Sequence, residues 1–140
     1  DELCFDNMPE GSWPILTSAA KWDVGSPEDL GSTPICPVDL PAETQKRIVA
    51  VAREAWEALC GAEGYGRVDL RVDASGQPFV LEVNPNPDIS DAAGLSRMAK
   101  AQGWEYEDLI CRIVEESLSR SSSRLAAVAL TTGSPTTATT

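Results

Sequence analysis

The stretch Arg67-Val68-Asp69-Leu70-Arg71-Val72, answered after a short polar break by Phe79-Val80-Leu81-Glu82-Val83-Asn84, decides how this chain is read. Residues 65–72 alternate strictly, with Val68, Leu70 and Val72 on one side and Arg67, Asp69 and Arg71 on the other. That period of two marks a half-buried strand. Asp73-Ala74-Ser75-Gly76 has turn composition and residues 79–84 are again apolar, so the two runs predict a β-hairpin. Matching apolar to apolar sets Val72 opposite Phe79, Leu70 opposite Leu81 and Val68 opposite Val83. The other face then carries Arg71 opposite Val80, Asp69 opposite Glu82 and Arg67 opposite Asn84, provided that no bulge intervenes.

Two carboxylates directly opposite one another repel across about 5 Å, so a cation is expected between them. Two readings remain open on the residues alone. In the first, Arg67 and Arg71 flank Asp69 and Glu82 and neutralise them as a surface charge ladder. In the second, Asp69, Glu82 and the amide oxygen of Asn84 form an open, all-oxygen ligand set. Such a set suits Mg²⁺ that keeps waters and takes phosphate oxygens. Arg67 would then stand one residue pair along, placed to hold a phosphoryl group with its planar fork of donors.

Working outward, residues 41–60 repeat apolar side chains at helical spacing through Ile48, Val51, Ala52, Ala55, Trp56 and Leu59. Pro41 suits the first turn of a helix and Gly61 its end. Gly61, Gly64 and Gly66 precede the strand, so they read as helix stop and turn, not as a phosphate-cradling loop. Residues 91–100 predict a short helix with Leu95, Met98 and Ala99 inward, broken by Gly103. Leu109, Ile110, Ile113, Val114 and Leu118 define a last helix, and Glu105, Glu107 and Asp108 are first-turn acids that suit its dipole. Trp56 and Trp104 read as packing residues. The first 39 residues hold Pro9, Pro14, Pro27, Pro34 and Pro37 and predict irregular chain with short strands at best. Residues 119–140 are Ser/Thr-rich and predict a disordered tail, apart from a small apolar patch at 125–130.

Composition narrows the chemistry. The chain has 140 residues, with 11 Lys and Arg against 22 Asp and Glu, for a formal net charge of -11. A surface of that sign repels phosphate backbones, which excludes nucleic acid and anionic membrane as favoured partners. There are 0 histidines, which removes imidazole acid–base chemistry, His-based triads and His metal sites. Cys4, Cys36, Cys60 and Cys111 form no C-x-x-C pair and read as reduced thiols of a cytoplasmic protein, with Cys60 and Cys111 as small buried hydrophobes on helices.

At this point the residues carry a resemblance. Arg67-Val68-Asp69, Gly76 and then Leu81-Glu82-Val83-Asn84-Pro85-Asn86-Pro87 resemble the C-terminal metal-binding hairpin of ATP-grasp ligases, nearest the D-alanine–D-alanine ligase group. Ala20-Lys21-Trp22-Asp23 resembles the segment that delivers a phosphate-contacting lysine in that group. Gly103-Trp104-Glu105-Tyr106-Glu107-Asp108-Leu109-Ile110 resembles the entry to its C-terminal helix. The resemblance implies an α+β ATP-grasp C-terminal subdomain over residues 1–118, an antiparallel sheet with helices packed on one face.

It also implies ATP and Mg²⁺ or Mn²⁺ as cofactors, with two metal ions. Asp69 would ligate one ion, Glu82 would bridge both, and Asn84 would complete the second site. Lys21, Arg67, Glu82 and Asn84 would serve the ATP phosphates, and Arg67 would be catalytic, steadying the γ-phosphoryl group and an acyl-phosphate intermediate. The implied function is ATP-dependent joining of a small-molecule carboxylate to an amine. A non-catalytic metal- or partner-binding remnant is the alternative. The substrate domain and lid of the family find no counterpart before Asp1. The expected partner is therefore an N-terminal part of the same polypeptide, without which these residues are expected to be inactive. One departure bears on substrate: Pro85-Asn86-Pro87-Asp88-Ile89 stands where D-alanine ligases carry a small Thr or Ser and then Pro-Gly. The expectation is a carboxylate and amine other than D-alanine.

Overall fold

The computed structural model describes the backbone of residues 1–132 and the side chains of residues 1–121. Its elements run β1 (Glu2–Cys4), α1 (Ser18–Trp22), α2 (Pro27–Gly31), β2 (Thr33–Ile35), α3 (Ala42–Cys60), β3 (Arg67–Val72), β4 (Pro78–Asn84), α4 (Gly94–Ala101) and α5 (Tyr106–Thr132). They fall into two compact units, Asp1–Pro41 with Asp88–Trp104, and Ala42–Pro87 with the chain from Glu105 onward. Each unit holds one two-stranded antiparallel sheet, β1-β2 in the first and β3-β4 in the second. The whole is α+β, as the sequence predicts.

In the first unit two short helices form between the prolines, and the one proline within a helix, Pro27, stands where a helix accepts it. Thr17 caps α1 by accepting the Ala20 N–H at 3.1 Å, and Ser26 caps α2 by accepting the Asp29 N–H at 3.1 Å. Pro27 occupies the first turn of α2, where its missing N–H costs nothing. The sequence reading of this region as mostly irregular with short strands holds for β1, β2 and the loops, and two five-residue helices add to it. Gly31 is buried, and a Cβ there would lie 2.7 Å from the Asn7 carbonyl oxygen, so the backbone itself packs at that point. The predicted helix at 91–100 begins later, at Gly94. The Asp88 side chain draws the Ser90 N–H into a turn at 2.8 Å, and the Ala93 N–H bonds to the Ser90 carbonyl at 3.0 Å. Ala20, Ala93 and Ala99 are buried, and Ser96 is buried deepest, its hydroxyl donating to the Ser90 carbonyl at 2.7 Å.

In the second unit α3 packs on both strands of the β3-β4 hairpin. Ile48, Val51, Ala52, Ala55 and Trp56 are half-buried, but Leu59, placed on the same stripe by the sequence, is exposed. The helix ends as predicted, with Gly61 at φ 67° and its N–H bonded to the Glu57 carbonyl at 3.0 Å. Leu109 of α5 is buried. Asp108 accepts the Glu105 N–H at 3.0 Å, so one of the predicted first-turn acids is a cap.

Helix α5 continues to Thr132, across residues that the sequence assigns to a disordered tail. Ser117 and Ser121 donate their hydroxyls to the carbonyls of Ile113 and Ser117, each at 2.9 Å, so these polar side chains are satisfied within the helix. The remainder of that predicted tail, residues 133–140, lies outside the described residues. All four cysteines are free thiols, but Cys111 is exposed and not the buried hydrophobe predicted. Among the described residues no helix is long and apolar enough to cross a membrane.

Candidate functional site

The hairpin is closed by a three-residue connection. The Asp73 N–H bonds to the Gln77 carbonyl at 3.0 Å and the Gly76 N–H to the Asp73 carbonyl at 2.9 Å, with Gly76 at φ 77°. This is a turn whose last residue must be left-handed, which a glycine adopts without steric cost. Asp73 ties it together: one carboxylate oxygen accepts from the Ser75 N–H at 2.8 Å, the Ser75 hydroxyl at 2.7 Å and the Gln77 N–H at 2.9 Å. The Ser75 hydroxyl, followed by the Gln77 N–H, holds the Asp73 carboxyl below the usual carboxylate range.

From the turn the strands pair Val72 with Pro78, Arg71 with Phe79 and Leu70 with Val80; beyond that they pair Asp69 with Glu82, Val68 with Val83 and Arg67 with Asn84. Leu81 is left over, a β-bulge between the two halves. The predicted register therefore holds at the open end and is off by one residue at the turn end: Leu70 does not face Leu81, nor Arg71 Val80, nor Val72 Phe79. Phe79, Val80 and Leu81 are three apolar residues in succession, so alternation gives nothing to choose between neighbouring registers there. The extra residue stays outside the ladder, and Leu81 is 67% exposed.

Four of the five predicted site residues meet at the open end of this hairpin. Arg67 reaches along its own strand to Asp69 in a fork, Nε to Oδ1 at 2.6 Å and Nη2 to Oδ2 at 2.9 Å. Their side chains remain 30% and 35% exposed, so water screens the pair and its contribution to stability is about 0–1 kcal/mol. Glu82, opposite Asp69, is exposed. Asn84, opposite Arg67, accepts the Asn86 N–H on its Oδ1 at 2.9 Å, which fixes the amide and leaves the oxygen a second lone pair. Repulsion between the opposed carboxylates is thus relieved on the Asp69 side by Arg67.

Lys21 lies apart from these four in the chain's organisation. It sits, exposed, in the last turn of α1 and belongs to the first unit, whereas Arg67, Asp69, Glu82 and Asn84 belong to the second. Among the described residues no group of three or more Asp, Glu, Cys or His side chains is arranged to hold a metal ion. What the hairpin offers is two carboxylates and an amide oxygen on one face. These hard donors fit a divalent cation that fills its remaining positions with water or phosphate oxygens.

The sequence reading missed the support behind the site. Gly66 is more than a turn residue: a Cβ on it would run into Cζ3 and Cη2 of Trp56 and lie 2.7 Å from the Asn84 carbonyl oxygen. The indole of α3 therefore rests against the backbone where β3 begins and β4 ends. A glycine immediately before a strand, with an aromatic on the preceding helix stripe, is the signal that could have pointed to it.

Comparison with known proteins bears on what this arrangement is for. Residues 21–115 match the family model described as D-ala D-ala ligase C-terminus. Over 85 residues the chain is 39% identical to the D-alanine–D-alanine ligase of Nitrosococcus oceani, covering 61% of this chain and 27% of that protein. It is 42% identical over 84 residues to the corresponding ligase of Pseudoalteromonas translucida, covering 59% of this chain and 27% of the relative. Among solved structures, D-alanine–D-alanine ligase from Bacillus anthracis superposes with a TM-score of 0.57 at 35% identity, covering 62% of this chain and 28% of that one. The same enzyme complexed with ATP gives a TM-score of 0.53 over 58% of this chain and 28% of that one. The chain spans about a quarter of the length of the relatives it matches.

Proposed function

The chain belongs to the D-ala D-ala ligase C-terminus family, and from that membership we propose that it is the Mg-ATP-handling part of an ATP-dependent carboxylate–amine ligase. The observation that carries this reading is the juxtaposition of Arg67 with Asn84 and of Asp69 with Glu82 at the open end of the hairpin. In it, Asp69, Glu82 and Asn84 hold one or two divalent cations, Mg²⁺ or Mn²⁺. When bound, these supply charge neutralisation on the ATP phosphates and on the transferring phosphoryl group.

The chain's own residues do the rest. Arg67 presents two parallel N–H donors to the γ-phosphoryl oxygens, a geometry suited to charge that spreads over those oxygens as the phosphoryl group transfers. Lys21 adds a mobile positive charge to the nucleotide phosphates. The substrate carboxylate attacks the γ-phosphorus and ADP leaves. An amine then attacks the acyl phosphate and expels phosphate, forming the amide bond. Neither step needs an imidazole, in keeping with a chain that has 0 histidines.

The lid, adenine pocket and substrate domain of such a reaction are assigned to the N-terminal part of the same polypeptide, since these residues span a quarter of the relatives' length. The relatives' names supply D-alanine as one substrate pair. The departure at Pro85-Asn86-Pro87-Asp88-Ile89 is the ground for a different carboxylate and amine. The free thiols accord with a cytoplasmic setting.

Thermal melting with and without Mg²⁺ and ATP tests the site directly. Saturation to 100 times Kd stabilises by about 2.7 kcal/mol, so the melting temperature rises measurably. Asp69→Asn and Glu82→Gln are expected to abolish the rise. Because the adenine pocket is assigned elsewhere, the deciding comparison is with Mg²⁺ alone raised into the millimolar range: a wild-type chain that melts identically with and without the metal overturns the reading.

A further inference from the structure

We propose that the cleft between α3, the loop that follows it and α5 is a second small-molecule site, which takes a monocarboxylate with an apolar body. The cleft measures about 340 Å³, and its apolar walls are Trp56, Leu59, Tyr65 and Pro85. That volume falls among small-ligand pockets, roughly 300–1,000 Å³. All of its residues belong to the second unit, and none of Arg67, Asp69, Glu82 and Asn84 lines it. Binding here therefore needs neither a cation nor a nucleotide at the hairpin.

Arg120 is the group that points to an anion. It lines the cleft from α5, half-buried, and its Nε is buried with no hydrogen-bond partner among the described residues. A guanidinium stays charged, and buried charged donors are ordinarily paired, so an incoming acceptor gains a hydrogen bond without breaking one. The backbone makes room for this head group. Gly64 has φ 77°, and a Cβ on it would lie 3.0 Å from Nη1 of Arg120. The planar fork of an arginine matches the two oxygens of a carboxylate. Leu59 is 71% exposed and Trp56 and Tyr65 are half-buried, so an apolar body laid on them covers surface that water otherwise wets. Glu63, exposed, also lines the cleft. Its negative charge opposes the second charge of a phosphate monoester more than the single charge of a carboxylate neutralised by Arg120. The cleft thus favours a monocarboxylate.

The test is a titration of cinnamate into this chain, without metal or nucleotide, followed by nuclear magnetic resonance at the Trp56 indole N–H. Neutral cinnamamide and doubly charged phenyl phosphate are titrated alongside. Cinnamate is expected to shift the signal saturably in the millimolar range or below, and each of the other two to bind about tenfold more weakly. Arg120→Gln is expected to lose about tenfold in affinity for cinnamate and to bind cinnamamide as wild type does. Arg53→Gln removes the same charge from an exposed position of α3 outside the cleft. It measures the general field, for which a change below about threefold is expected with salt at physiological strength. The absence of any saturable shift with cinnamate in the millimolar range overturns the site. Cinnamamide or phenyl phosphate binding as tightly as cinnamate, or Arg120→Gln keeping as much affinity as Arg53→Gln, overturns the carboxylate assignment. Should Arg120→Gln fail to fold, the three ligands on wild type decide, together with the Arg120 Nε–H signal. That signal is expected to move as cinnamate saturates, and a signal that stays in place overturns the pairing.

Discussion

The two ends of one hairpin obey different rules. At the turn end the polar groups close the turn: Asp73 accepts the Ser75 and Gln77 N–H groups and the Ser75 hydroxyl, and Gly76 supplies the left-handed residue. At the open end the polar groups face one another, two acids opposed and an arginine folded back on one of them. Leu81 separates the ends. A bulge bends its strand and re-aims the side chains beyond it, so one ladder can serve closure on one side and chemistry on the other. The lesson is that Arg67 and Asp73 differ in what their partners are: Asp73 holds the backbone of a turn, while Arg67 holds a carboxylate that faces another across the ladder.

The contrast can be broken most forcefully at Gly66. Gly66→Ala puts a methyl group into the Trp56 ring and against the Asn84 carbonyl. The expected loss is about 1–3 kcal/mol of stability, read by urea unfolding, because the Asn84 carbonyl is backbone and the indole must shift to admit the methyl group. A loss below 1 kcal/mol would mean that the indole does not support the open end.

A smaller loss is expected from Asp73→Ala, and it should depend on pH. The folded carboxyl titrates below its ordinary value of about 4. Its contribution is therefore complete above that pH and lost as pH falls through the lower folded value. Wild type and variant should differ at pH 7 and converge in acid, whereas parallel curves would deny Asp73 its role at the turn.

The smallest change in stability, within about 0.5 kcal/mol, is expected on deleting Leu81. The flanking pairs Asp69–Glu82 and Leu70–Val80 can then join in a regular ladder, and an exposed apolar side chain is removed. Yet the melting shift with Mg-ATP should disappear, since the open end loses its aim. A deletion variant that keeps the shift would show that the bulge serves folding only.

Much of this was legible without coordinates. Helix α3 is readable from its stripe and its Gly61 stop, and the pairs Asp69–Glu82 and Arg67–Asn84 from alternation, because charged residues interrupt the apolar run on both strands. The register near the turn was not legible, since Phe79, Val80 and Leu81 look alike to a pattern with a period of two. Helix α2 in the first unit was obscured by Pro27, which is harmless only because it stands at a first turn, and α1 by its brevity between proline-rich stretches. In each case local context, not residue type, decided the outcome.

What the sequence determined by itself is the list of functional groups: no imidazole, a net negative chain, and two acids, an arginine and an amide at fixed spacings on adjoining strands. Those follow from composition and from the geometry of an extended chain, in which every second residue shares a face. The tertiary structure alone decided that Leu81 drops out of the ladder, that Trp56 makes Gly66 obligatory, and that Arg67 sits on both oxygens of Asp69. These depend on distances between groups remote in sequence or on rotamers chosen among competing partners, and neither is encoded in periodicity.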